Sequence, residues 1–113
     1  MKKNSSIIYL YGFNTRRKFQ IDNLLKIIKE QINIGVNIKL VLIHDGVIGL
    51  SKREKKDTSI LELLNLPVLI YAIKADLLAR GIDINNLYEK VKIIDYEDLV
   101  DLLAETPKII SWI

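Results

Sequence analysis

A short apolar segment, Lys39–Gly49, constrains the fold of this chain most, because it ends in the only histidine, an aspartate and a glycine. Its central Val-Leu-Ile run leaves no polar face, which predicts a strand over Lys39–His44 that is buried on both sides. The residues His44, Asp45 and Gly46 mark the point where this strand leaves the sheet. Ligands and partners of open α/β sheets gather at such carboxyl ends. The sequence therefore places a candidate site there.

Strand patterns alternate with helix patterns along the whole chain, as in α/β proteins. The predicted strands cover Ile7–Tyr11, Lys39–His44, Val68–Ile73, Val91–Ile94 and Lys108–Ile113. The predicted helices cover Arg16–Ile34, Ile60–Asn65, Lys74–Arg80 and a segment from Asp95 to Glu105. This order predicts a single domain over residues 1–113, a three-layer α/β/α sandwich with a mostly parallel five-stranded sheet.

Three helix starts carry capping signals. Asn14 or Thr15 can cap the first helix, and Ser59 with Glu62 forms a capping-box pattern before the second. Asp95 stands where the N-cap of the last helix is expected, with acidic residues behind it that favour a helix start. We therefore predict side-chain caps at all three positions.

Composition excludes several classes of function. The 113 residues contain no cysteine, which rules out a disulfide framework, a cysteine-ligated metal site and a thiol nucleophile in this chain. A formal charge of +3 from 17 basic and 14 acidic residues is a small excess for a nucleic-acid binder. The apolar run near the N-terminus is too short for a signal peptide or a membrane span. We expect a soluble cytoplasmic protein without cofactor or metal.

His44 and Asp45 are the first candidate site residues, since a histidine oriented by a carboxylate can act as a general base. Adjacent residues at a strand end point to different sides, however, so we predict no catalytic residues. We expect Asp45 and Gly46 to cap a turn and His44 to meet a partner or a backbone group. No glycine-rich phosphate motif follows any strand. Helix starts at Thr15 or Ser59 could still hold an anion.

Two basic clusters lie after the first and second strands, Arg16-Arg17-Lys18 and Lys52-Arg53-Lys55-Lys56. Both are expected near the carboxyl edge of the sheet, where they could contact RNA phosphates or be solvated surface charge. The candidate partner or ligand contacts are therefore His44, Asp45, Gly46, Lys52, Arg53 and Lys55.

The last predicted strand suggests an interface. An apolar edge strand should not stay open in a soluble monomer, and Trp112 is a candidate anchor. Tyr71, Tyr96 and Ile113 could join it. We expect an oligomer on these grounds.

Three stretches carry a family resemblance: Ile43–Val47 after the second strand, Val68–Gly81, and Ile94–Val100, followed by Pro107 and Trp112. In this order they resemble the DsrH/TusB family of DsrE-like sulfur-relay proteins. The resemblance implies a subunit of a cytoplasmic complex that passes sulfur as a cysteine persulfide, for 2-thiolation of the tRNA wobble uridine or for sulfur oxidation. It also implies cysteine-bearing DsrE-like and DsrF-like partners, similar to TusD and TusC, in a hetero- or homo-oligomer.

Some DsrH-type members carry a cysteine in the loop after the first strand, whereas here that loop, Tyr11–Thr15, has none. A persulfide needs a sulfur atom that serine and threonine lack. The resemblance therefore implies a non-catalytic accessory subunit. As a hypothesis, His44, Asp45 and the Lys52–Lys56 loop could then stabilise a neighbouring thiolate or guide an acceptor. The alternatives are a stand-alone homo-oligomer that binds a small anionic ligand or nucleotide, and a tRNA-docking module with direct or indirect tRNA contact.

Overall fold

The computed structural model describes residues 6–14, 17–52 and 58–112. Its strands are β1 (Ser6–Tyr11), β2 (Asn37–Leu42), β3 (Leu69–Ile73), β4 (Val91–Ile94) and β5 (Lys108–Trp112). Its helices are α1 (Lys18–Asn33), α2 (Thr58–Leu64), α3 (Lys74–Ala79) and α4 (Tyr96–Glu105). Two 3-10 turns, His44–Val47 and Ile84–Asn86, lie between them. No helix within the described ranges is both long and apolar enough to cross a membrane.

The five strands form one sheet in the order β4-β3-β2-β1-β5, and all four pairings are parallel. A parallel sheet is stable when both faces are covered, which requires the apolar runs seen in the sequence. One isolated antiparallel bridge joins Ser51 to Leu87 outside the strands. The predicted α/β sandwich is confirmed.

Helices cover the two faces of the sheet unequally. Alternate residues of β1 point to opposite faces, so Tyr9 packs with Leu24 and Leu63 in the larger core cluster, on the side of α1 and α2. Ile8 packs with Val41 and Leu99 in the smaller cluster, beneath α4. One ten-residue helix contributes Leu99 to that second face, which leaves Ile109 and Leu69 about half exposed.

The carboxyl end of β2 differs from the prediction. The strand ends at Leu42, two residues before the predicted end, because His44 has a φ of 50° that no strand accommodates. The chain instead enters the 3-10 turn directly. The turn thus begins at the histidine and carries Asp45 and Gly46 away from the sheet.

The helix caps were predicted with mixed success. Asp95 caps α4 as predicted, because its carboxylate accepts from the N–H of Asp98 while Asp98 accepts from Asp95. The cap predicted for α1 is wrong at Asn14, since Arg17 is the N-cap and makes no side-chain cap; Thr15 lies outside the described residues. Ser59 is not a cap either, because α2 begins one residue earlier and the Ser59 hydroxyl donates to Asp22 on α1.

Candidate functional site

The candidate site lies where β2, β3 and β4 end, at the carboxyl edge of the sheet. The turn His44–Val47 follows β2, and α3 begins immediately after β3. After β4, Asp95 caps α4, so that Tyr96 starts the helix at the same edge. Because parallel strands end at one edge, segments far apart in sequence meet there.

A buried carboxylate, Asp76 on α3, holds the backbone of His44. The Asp76 side chain accepts a hydrogen bond from the backbone N–H of His44 at 2.8 Å. Left-handed backbone costs a residue other than glycine about 1–2 kcal/mol, and this bond across 32 positions offsets that cost. The His44 side chain itself is exposed. The arrangement fixes the backbone and presents the imidazole to solvent.

Asp76 has further partners, as a buried carboxylate requires. Only 7% of the residue is exposed. The hydroxyl of Tyr96 lies 3.5 Å from its Oδ2, and Nη1 of Arg80 lies 3.6 Å from its Oδ1. Desolvation, followed by the negative charge of Asp76, raises the pKa of Tyr96 above its usual value. Tyr96 therefore stays a neutral donor toward this carboxylate.

Arg80 joins the turn to α3. Its Nε donates to the Asp45 carboxylate at 3.0 Å, while Nη1 donates to the backbone carbonyl of Asp76 at 3.2 Å. The Asp45 side chain is 59% exposed, so its ion pair contributes at most about 1 kcal/mol. One guanidinium thus serves two carboxylates of very different burial.

Gly46 fixes the turn against β1. A Cβ at this position would lie 2.2 Å from the backbone carbonyl oxygen of Tyr11, a distance that no real contact shows. The same carbonyl accepts from the N–H of Ile43 at 3.0 Å. Only glycine allows this close approach, which explains the residue's place in the turn.

A buried aromatic cluster lies on the β1 side of the turn. The Tyr11 ring packs edge-on against Phe13 and at a tilt against Trp112, with centroids 5.8 and 6.3 Å away. The Tyr11 hydroxyl is buried and has no hydrogen-bond partner among the described residues. Desolvation raises the pKa of Tyr11 to about 12, although Arg17 opposes the shift.

Asp76 and its partners His44, Arg80 and Tyr96, together with Asp45, form the Asp76 cluster. The remaining predicted contacts do not join this cluster in the described part of the chain. Lys52 is exposed, and its backbone N–H donates to the carbonyl of Asn86 in the segment before β4. Arg53 and Lys55 lie outside the described residues. The contact role of these side chains stays a prediction.

The three predicted interface residues within the described ranges do not form one group. Tyr71 is half-buried beneath α4, whereas Trp112 packs against Tyr11 on the edge strand β5. Tyr96 belongs to the Asp76 cluster and is 48% exposed. Ile113 lies outside the described residues. Their interface role is untested and stays a prediction.

Ser59, considered above as an anion site, faces a carboxylate instead. Its hydroxyl is buried and lies 2.6 Å from Oδ1 of Asp22, and this bond is the main reason that the pKa of Asp22 is lowered. Lys18 approaches both groups, at 3.3 Å from each. These contacts link α2 to α1. An incoming anion would meet Asp22, which argues against an anion site at Ser59.

Asp76 and Arg80 are site residues that the sequence prediction missed. They are spaced i, i+4, Asp76 on α3 and Arg80 at its C-cap, and this helix begins directly after β3, which places both side chains near the carboxyl edge. That spacing was the available signal. Their partners, His44 and Asp45, are more than 30 positions away, so pairing could not be deduced from local pattern.

Comparison with known proteins identifies the family. The family described as "DsrH like protein" matches residues 17–109, which include every strand except β1 and the last three residues of β5. The chain belongs to the DsrH family. Membership supports the role of sulfur-relay subunit that the sequence resemblance implied.

Curated relatives are proteins named TusB. The Escherichia coli protein is 32% identical over 74 residues, or 66% of this chain and 74% of the relative. The Photorhabdus laumondii protein is 31% identical over 73 residues, covering 65% and 73%. The Buchnera aphidicola protein is 36% identical over 58 residues, covering 51% and 60%.

Solved structures share the fold. A protein of unknown function from Methanobacterium thermoautotrophicum has a TM-score of 0.79 at 18% identity, covering 96% of this chain and 100% of that one. The ychN protein from Escherichia coli also has a TM-score of 0.79, at 17% identity and covering 96% and 99%. At such identities the likeness establishes the fold alone.

Proposed function

We propose that this chain is a cysteine-less accessory subunit of a cytoplasmic sulfur relay, resembling TusB and DsrH. It assembles with cysteine-bearing DsrE-like and DsrF-like paralogues, the counterparts of TusD and TusC. The sulfur moves as a persulfide toward the 2-thiolation of wobble uridine in tRNA or during sulfur oxidation. The proposal rests on family membership combined with the absence of cysteine from the 113 residues.

The role proposed for the site rests on the way Asp76 holds the backbone of His44. The left-handed backbone of His44 is strained, and such strain persists only where the surrounding structure fixes it, as Asp76 does here. A subunit with a purely structural role would not require an imidazole at such a position. An exposed imidazole on the turn whose Asp45 pairs with Arg80 can act on a partner's thiolate, since positive charge and hydrogen-bond donors lower a thiol's pKa. In this proposal the chain shapes the environment of a sulfur atom that it does not carry.

Assembly is the first test. The chain is co-expressed with the cysteine-bearing paralogues, and the purified complex is weighed by native mass spectrometry. We expect a fixed stoichiometry that includes this chain. A chain that elutes only with itself contradicts the relay role and directs attention to the alternative, a homo-oligomer with a small anionic ligand.

The second test concerns the site. We expect His44→Ala to leave the complex assembled and to slow sulfur transfer from a persulfide-loaded partner, because the imidazole is lost while its backbone position is kept. Lys29→Gln, which breaks an ion pair with Glu62 on the α1–α2 side, is the matched control and should transfer normally. An unchanged rate in His44→Ala would remove the role of that residue and leave the subunit role standing.

A further inference from the structure

Arg80 is shared by two carboxylates that differ sharply in exposure. The side chain of Asp76 is 10% exposed and that of Asp45 is 59% exposed, while that of Arg80 is 27% exposed. The guanidinium therefore has one side facing the protein and one side facing solvent. An ion pair with so exposed a carboxylate is weak, because water competes for both groups.

The two contacts also differ in how firmly they are fixed. Arg80 is the C-cap residue of α3, four positions after Asp76, and its Nη1 additionally donates to the Asp76 backbone carbonyl at 3.2 Å. Asp76 is fixed in turn by the N–H of His44. Among the described contacts, Arg80 makes no second hydrogen bond to Asp45. The guanidinium therefore keeps its position when the Asp45 carboxylate rotates toward solvent.

We propose that Arg80 is the anion-receiving group of the site and that Asp45 is its displaceable occupant. Resting on the proposed function, we infer that the ligand is a sulfur anion, the thiolate or persulfide of a partner's cysteine. The exchange of one anion for another keeps the guanidinium neutralised, and no covalent bond forms or breaks. Asp76 acts as a positioning residue that holds Arg80, and the exposed His44 directly precedes Asp45 in the turn.

Two substitutions separate this role from a purely structural one. Asp45→Asn and Arg80→Gln break the same ion pair, so a structural role predicts effects in the same direction. An anion site predicts opposite effects, because the first removes the competing carboxylate and the second removes the receiving cation. The opposite signs are the diagnostic result.

The first measurement uses the isolated full chain and sodium thiosulfate as the sulfur-bearing anion. Nitrogen-15 spectra follow the Arg80 Nε–H and the His44 backbone N–H during a titration at constant ionic strength. Sodium sulfate, which lacks the terminal sulfur atom of thiosulfate, is the control anion. We expect Asp45→Asn to bind thiosulfate several-fold more tightly and Arg80→Gln to lose binding while its spectrum stays folded. Lys29→Gln should bind as the unmodified chain does. Changes of the same sign, or no binding at all, would overturn the inference.

The second measurement uses the complex with the cysteine-bearing paralogues. The rate of partner-cysteine alkylation by iodoacetamide, measured against pH, reports the pKa of that thiol. We expect Asp45→Asn to speed alkylation near neutral pH and Arg80→Gln to slow it. If the complex forms and the two variants agree in sign, Arg80 is not the receiving group and the subunit role stands. If no complex forms, the proposed function fails, and the partner-sulfur ligand inferred here fails with it.

Discussion

The buried hydroxyl of Tyr11 gives the sharpest stability prediction. Among the described residues this buried hydroxyl has no hydrogen-bond partner, and leaving such a group unpaired costs about 1–3 kcal/mol. Tyr11→Phe keeps the ring contacts with Phe13 and Trp112 and removes only the oxygen. We therefore expect the free energy of unfolding to rise by about 1 kcal/mol, or the melting temperature by about 4 °C for a chain of 113 residues.

Tyr9 provides the matched control on the same strand. It is buried on the same face of the sheet, but its hydroxyl donates to the side chain of Gln31. Tyr9→Phe should therefore lower the free energy of unfolding by about 1 kcal/mol, because Gln31 loses its buried partner. Two identical substitutions, two residues apart, are expected to have opposite signs.

The raised pKa of Tyr11 predicts in addition how the effect of Tyr11→Phe on stability depends on pH. Burial raises the pKa of Tyr11 from its usual value of 10.0 to about 12, so the folded state favours the protonated form. Stability from this group is present below pH 10 and is lost as the pH rises from 10 to 12. By pH 11 the unmodified chain should lose about 1 kcal/mol that Tyr11→Phe keeps. The stabilising effect of the substitution should thus grow with pH.

Urea unfolding followed by circular dichroism, at pH 7, 9 and 11, measures all of these differences. A Tyr11→Phe variant that is less stable than the unmodified chain at neutral pH would refute the reasoning, because the hydroxyl would then have a partner. A constant difference across the pH range would refute the pKa argument alone.

Two further predictions concern the site. Gly46→Ala should lower the free energy of unfolding by about 1–3 kcal/mol, because the added Cβ clashes with the Tyr11 carbonyl. Gly81→Ala is the comparison, since the space there is open and only a φ of 69° opposes the side chain. Urea unfolding should distinguish the two variants. Asp76→Ala should lower the unfolding free energy by about 1–3 kcal/mol by leaving a backbone N–H unpaired, whereas Asp45→Ala should cost less than about 1 kcal/mol in the same assay. Equal losses for the two aspartates would contradict the burial argument.

The fold could be predicted from the sequence because the information is local. The apolar run before His44 and the N-cap at Asp95 each specify an element through neighbouring residues, and both were found where expected. The end of β2 was wrong for the opposite reason, since the left-handed backbone of His44 depends on Asp76, 32 positions later. Ser59 was misassigned as a cap because its partner, Asp22, lies on another helix.

Only half of the site was predicted from the sequence, His44 and Asp45 but not Asp76 and Arg80, for the same physical reason. A strand end followed by His44 and Asp45 is visible in one short segment, and it located the carboxyl edge. The cation that pairs with Asp45 is visible only once β2 and β3 lie side by side. Arg80 and Asp76 therefore looked like ordinary helix residues until the sheet brought their partners to them.

The strained backbone of His44 allows a test of whether the turn serves to present the imidazole for sulfur transfer or has only a structural role. Left-handed backbone costs alanine about 1–2 kcal/mol more than glycine, and the greater freedom of glycine in the unfolded chain returns about 0.4–1 kcal/mol of this. His44→Gly should therefore be more stable than His44→Ala, while both lack the imidazole. If the turn exists to present that imidazole, both variants should slow sulfur transfer equally despite their different stabilities. Transfer that follows stability instead would mean that the turn matters only as structure, and equal stabilities would mean that Asp76 imposes no strain on His44.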